Sequence, residues 1–164
     1  MNFSSLKEYF YKLANRSYLL VLLPLAAFIY LFQQLMTKEI EPFIQDEPLV
    51  RIVIVILGTF ALVNLTSVHW IASRRLKKYS QEVGLGRKLD RYNEIVMFRI
   101  GASSASSLMM ATGLLLTSNE IFGILFLAIL LWTLVQWPTA RRACRDLQLK
   151  GDEYEMVLYK KDTF

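Results

Sequence analysis

The stretch RIGASSASSLMMATGLLLT, from Arg99 to Thr117, is apolar enough to lie in a bilayer, yet its first half is almost entirely Gly, Ala and Ser. Side chains of that size fill little space and let another helix come close. Gly101 and Ala105, Ala102 and Ser106, and Ser103, Ser107 and Ala111 are spaced by four. That is the small-xxx-small pattern that joins helices where lipid tails supply no hydrophobic drive. Nearly every position from Gly101 to Ser107 is small, so more than one face accepts a neighbour. A helix contacted on several sides belongs at the centre of a bundle or at a subunit interface. The competing reading is a polar cavity lined by Ser103, Ser104, Ser106, Ser107 and Thr112, with Asn64 from another span.

Outward from this stretch, 54% of the 164 residues are hydrophobic, and they collect in four blocks. Each block, of roughly 17 to 23 residues, is long enough to cross about 30 Å of hydrocarbon. The expected spans are Ser17–Met36, Leu49–Ile71, Ile95–Thr117 and Ile121–Trp137, an all-α integral membrane bundle of four helices. Arg51 and Arg99 carry the charges inside them, and both lie near an end, where a long side chain can snorkel to the headgroups. Span four is bulky Ile, Leu, Phe and Trp, the composition of a lipid-facing helix.

Charge sets the expected orientation. Of the 19 Lys and Arg residues, 17 lie before span one, from Arg74 to Arg99, or from Arg141 onward. By the positive-inside rule both termini and the middle loop are cytoplasmic. The loop from Thr37 to Pro48, carrying Glu39, Glu41, Asp46 and Glu47 against Lys38, is then outside. The basic surplus is an orientation signal, with attraction to anionic headgroups as a consequence, rather than a nucleic-acid footprint. Arg74, Arg75, Arg99, Arg141 and Arg142 are the expected cytoplasmic interface.

Residues 1–16 predict a separate amphipathic helix in the inner headgroup region. Ser5 and Glu8 have capping-box spacing, and Leu6, Tyr9, Phe10 and Leu13 recur on one face. The plainer alternative is a cytoplasmic lead-in to span one. The first apolar run reads as a retained span, since no small-x-small cleavage site follows Phe28 before the acidic loop. Pro24 inside it removes a backbone donor and can kink the helix.

In span two, Asn64 and Thr66 are read as bonding a neighbouring helix or their own backbone, and His69 beside Trp70 as interfacial. Beyond it, span two is expected to project as helix through Tyr79. Gly84 and Gly86 break it, and a new helix starts near Arg87 and runs into span three. The tail, residues 138–164, holds YEMVLY from Tyr154 to Tyr159, strand-like in composition but without an evident partner strand.

Trp70, Arg74, Arg75, Lys78 and Gly84 recur 67 positions later as Trp137, Arg141, Arg142, Arg145 and Gly151, with Lys exchanged for Arg once. The match fits two tandem hairpins of like orientation, and equally a coincidence of basic span boundaries.

KLDRY from Lys88, LLLTSN from Leu114 and WPTARRACRDLQL from Trp137 resemble an uncharacterised group of short four-span bacterial inner-membrane proteins. The resemblance covers about the second half of the chain. It implies an integral membrane protein of four helices and carries no activity or site residues with it.

Chemistry is sparse. One His and one Cys, Cys144, rule out an internal disulfide and a His/Cys metal cluster. Cys144 lies among Arg141, Arg142 and Arg145, where a lowered thiol pKa is conceivable and a bystander thiol is the simpler reading. No carboxylate pair lies within the spans, and no Gly-rich phosphate loop or nucleophile elbow is present. Asp90, Arg91, Asn93, Glu94 and Arg99 gather where span three enters the membrane. Interface anchoring explains them more simply than lipid chemistry does. No enzyme activity and no cofactor are expected. The expectation is a structural or interaction role: a homo-oligomer or a subunit of a larger membrane complex. The rival is a passive channel or transporter for a small solute, lined by the span-three hydroxyls.

Overall fold

The computed structural model describes residues 5–161. The first four residues of the expected interfacial helix and the last three of the tail lie outside that range. Among the described residues there are six helices and no strands: α1 (Leu6–Met36), α2 (Glu47–Tyr79), α3 (Leu85–Thr117), α4 (Ile121–Val135), α5 (Ala140–Asp146) and α6 (Gly151–Tyr159).

α1 begins where the capping box predicts. The Ser5 side chain accepts from the Glu8 backbone N–H at 3.1 Å, satisfying one of the donors a helix start leaves open. From there the helix runs unbroken for 31 residues through Pro24. The amphipathic segment is therefore the opening turns of α1 and not a separate element. Its apolar face, Leu6, Tyr9, Phe10 and Leu13, is buried against α3 and the tail helices instead of lying in headgroups. Protein contact satisfies that face as well as lipid would.

α2 and α3 form the expected hairpin. α2 ends at Tyr79 after the basic pair Lys77 and Lys78, which complement its C-terminal dipole. Gly84 stands before α3 with φ +97°, a conformation that an L side chain rarely adopts. α3 closes on Ser118 in the left-handed region. Asn119 then accepts from the Ile121 N–H through its side chain at 3.0 Å and starts α4 after a turn of a few residues. The loop between α1 and α2 is pinned to this end of the bundle by the Ile44 N–H, which donates to the Leu116 carbonyl at 2.8 Å.

Three helices, α1, α2 and α3, are long and apolar enough to cross a membrane. α4 is as apolar but has 15 residues, about 22 Å of rise. It stops because Pro138 cannot donate a helical hydrogen bond and disfavours helix at Trp137 before it. α5 leaves at 79° to α4. The recurrence at 67 positions thus joins unlike structures. Trp70 to Lys78 lie on one continuous helix, whereas Trp137 to Arg145 straddle a break.

The tail corrects a second expectation, because Tyr154 to Tyr159 are helical. Strand-like composition is overridden by tertiary contact: Val157 is fully buried, and Glu153 reaches Lys88 of α3 at 2.6 Å.

α3 is the hub, with its long interfaces shared among α1, α2 and α4. Half of its most apolar window is buried, against 6% for α1 and for α2. Two cores form along it. At the basic end, Tyr9, Leu13, Ala72, Leu76, Leu89, Tyr92 and Ile95 close over Ala143, Leu147 and Val157 of the tail. Toward the other end, Ala61, Met110, Leu114, Phe122, Phe126 and Ile129 form a smaller cluster, with Phe28 of α1 stacked on Phe126 at 4.1 Å between ring centroids.

Candidate functional site

The small residues of α3 divide by face. Ser103, Ser106 and Ser107 are buried, as are Met110 and Ala111 on the same side. Asn64 of α2 donates to the Ala102 carbonyl at 3.2 Å and to Ser106 Oγ at 3.0 Å. Such a bond between helices contributes on the order of 0.6 kcal/mol. Thr66 and Thr112 bond back to carbonyls of their own helices and are exposed, so Thr112 is not brought to the Asn64 group. Gly101 and Ala105 point the other way. A Cβ at Gly101 would meet nothing within 4 Å, and Ala105 is exposed. With Phe98 and Thr112 they make an outer face that the other described helices leave largely open, Arg75 of α2 reaching only its Phe98 edge.

The glycine in close contact is one that spacing did not select. A Cβ at Gly113 would overlap the Phe122 ring of α4. The turn between α3 and α4 brings the two together, and a single Gly within a Leu run gives no periodic signal of it.

At the basic end the charged residues are organised about Asp146. Arg99 Nη1 lies 3.2 Å from Asp146 Oδ2, Arg142 Nε lies 3.5 Å from the same oxygen, and Arg145 Nε lies 3.9 Å from Oδ1. Arg99 is 8% exposed. It is therefore not a snorkelling interface residue but an internal one, because α5 folds across the bundle end and supplies a carboxylate. The Tyr92 hydroxyl and Arg99 Nε are buried there without a hydrogen-bond partner. A crevice of about 10 Å³ between Arg99, Ser103, His69 and Gln136 continues from this cluster into the bundle, with the His69 and Trp132 rings 5.7 Å apart at its side. It is of the size that holds one water molecule. Asp146 was not singled out in the sequence, although its spacing of four from Arg142 is that of a helical ion pair.

The other expected interface residues stay outside. Arg74 lies 3.7 Å over the Trp70 ring, Arg75 sits 5.7 Å from Phe98, and Arg141 is exposed. Arg142 is the exception, its side chain mostly buried beside Asp146 and its guanidinium donating to the Val135 carbonyl at the end of α4. Asp90, Arg91, Asn93 and Glu94 do share one surface recess, with Glu82 and Arg87. Arg99 is not part of it. Burial raises the Cys144 thiol pKa, opposite to the activation its arginine neighbours made conceivable.

The arrangement holds helices together and gathers positive charge at one end. Among the described residues no three His, Cys, Asp or Glu side chains converge as metal ligands would. In comparison with known proteins, the chain matches no family model, no curated protein and no solved structure.

Proposed function

We propose that this chain is a small polytopic inner-membrane protein with a structural or interaction role, working as a homo-oligomer or as a subunit of a larger membrane complex. In this reading α1 to α4 make four crossings, the short α4 being completed by the turn at Trp137, and both termini and the α2–α3 hairpin are cytoplasmic. The observation that carries it is the division of α3. One side spends its serines on helix contacts, while Phe98, Gly101, Ala105 and Thr112 leave a small-residue face uncovered. In a bilayer such a face gains from another helix the close backbone approach that lipid cannot give.

Disulfide crosslinking in native membranes tests this. The native Cys144 is buried and gives little background. An A105C variant should form a crosslinked species, and S106C should not. Failure of every outer-face cysteine to crosslink, with only monomer recovered, would remove the oligomer. The pore alternative is read by the same variants: S103C, S106C and S107C should resist a water-soluble thiol reagent if these positions pack, and react if they line a wet path.

A further inference from the structure

The break between α4 and α5 creates a recess of about 400 Å³ whose lining changes character from one side to the other. Leu134, Val135 and Trp137 form its apolar wall, and Arg141, Arg142 and Arg145 its basic one. We infer that this recess binds the headgroup of an anionic phospholipid, with the acyl chains lying along α4.

Three observations converge on that ligand. The first is a charge imbalance. Arg99, Arg142 and Arg145 share the single carboxylate of Asp146, and Arg141 has no ion-pair partner among the described residues. Guanidinium groups left in surplus beside an exposed apolar wall call for an anion that also carries apolar chains, and their planar donors match phosphate oxygens two at a time. The second is the division of labour among the arginines. Arg142 is held by the Val135 carbonyl and Asp146, so it shapes the floor. Arg141, without an ion pair, and Arg145, exposed and held only at 3.9 Å from Asp146, lie one helical turn apart and can close on a ligand. The third is the track leading away. Val135 is 73% exposed, and Leu131, Leu127 and Ile124 continue an exposed apolar face up α4 from the recess. A soluble phosphate would use the arginines and leave that track idle, whereas a diacyl lipid uses both. The 79° turn fits as well, since it sets α5 across the bundle end, level with the headgroups, while α4 stays among the chains.

The inference rests on the membrane reading above. The test uses the full chain purified in a neutral detergent and measures retained lipid by native mass spectrometry and thermal stability during titration. Phosphatidylglycerol should be retained at one molecule per chain and raise the melting temperature, and phosphatidylcholine should do neither. R141Q/R145Q should lose roughly tenfold or more in phosphatidylglycerol affinity, while R74Q/R75Q, which removes equal charge elsewhere on the basic end, should keep it. Equal losses in the two double variants would overturn the site in favour of diffuse charge attraction. Equal retention of both lipids would overturn headgroup recognition. Glycerol 1-phosphate binding as tightly as phosphatidylglycerol would overturn the lipid and leave a soluble phosphate as ligand. A chain that stays monodisperse without detergent would instead sink the membrane reading itself, a separable result.

Discussion

Gly113 and Asp146 show how single side chains decide this structure. With the Phe122 ring where a Cβ would stand, Gly113→Ala forces either ring or helix to move. The expected cost is about 1–3 kcal/mol, seen as a lower melting temperature in detergent, while Gly101→Ala, with open space around it, should change little. Equal effects would mean that the α3–α4 contact is not as tight as described. Asp146→Asn removes the one carboxylate facing Arg99 and leaves a cation at 8% exposure uncompensated, a loss of about 3–5 kcal/mol. Replacing both partners, Arg99→Met with Asp146→Leu, should recover much of that stability, since no buried charge is then left alone. A double variant as unstable as Asp146→Asn would refute this account of the pair. Arg99 also marks the limit of inference from the chain by itself. Its place near the end of an apolar run is that of a snorkelling residue, and only the fold of a segment 47 residues later makes it internal.

Helices and turns were legible to the degree that their signals are local. Ser5 and Glu8 set the start of α1, Gly84 set the boundary before α3, and the run of small residues marked α3 as the contacted helix. Pro138 lay in plain view, yet its effect depended on α5 having a core to turn into. Tyr154 to Tyr159 were opaque for the same reason, because Val157 and Glu153 find their partners in α1 and α3 and not in neighbouring sequence. The orientation of α5 gives a prediction at this scale. Cys144 is 3% exposed, and desolvation keeps its thiol protonated further up the pH scale than an open cysteine. A maleimide should label it slowly in the folded protein and rapidly once denatured. Fast labelling of the native chain near neutral pH would show that α5 does not rest on the basic-end core.

Taken whole, the molecule is a lean bundle of long apolar helices closed at one end by a densely packed head. The tail contributes Ala143, Cys144, Leu147, Leu149 and Val157 to that head, besides the carboxylate for Arg99. A chain ending after Val135 would keep every long apolar helix but expose Tyr92, Leu89 and Ile95 and strand the buried guanidinium. It should aggregate on detergent extraction, read as void-volume elution in size-exclusion chromatography. Monodisperse recovery of that truncation would show that the head is dispensable.

The hub position of α3 also decides what depends on what within the bundle. α1 and α2 share no extended interface with each other and bury 6% of their most apolar windows in the finished fold. Neither has a resting place on the other, and α3 is what joins them. The segment with the least bulk is thus the keystone of the bundle, so a change that loosens α3 releases both of its long neighbours at once.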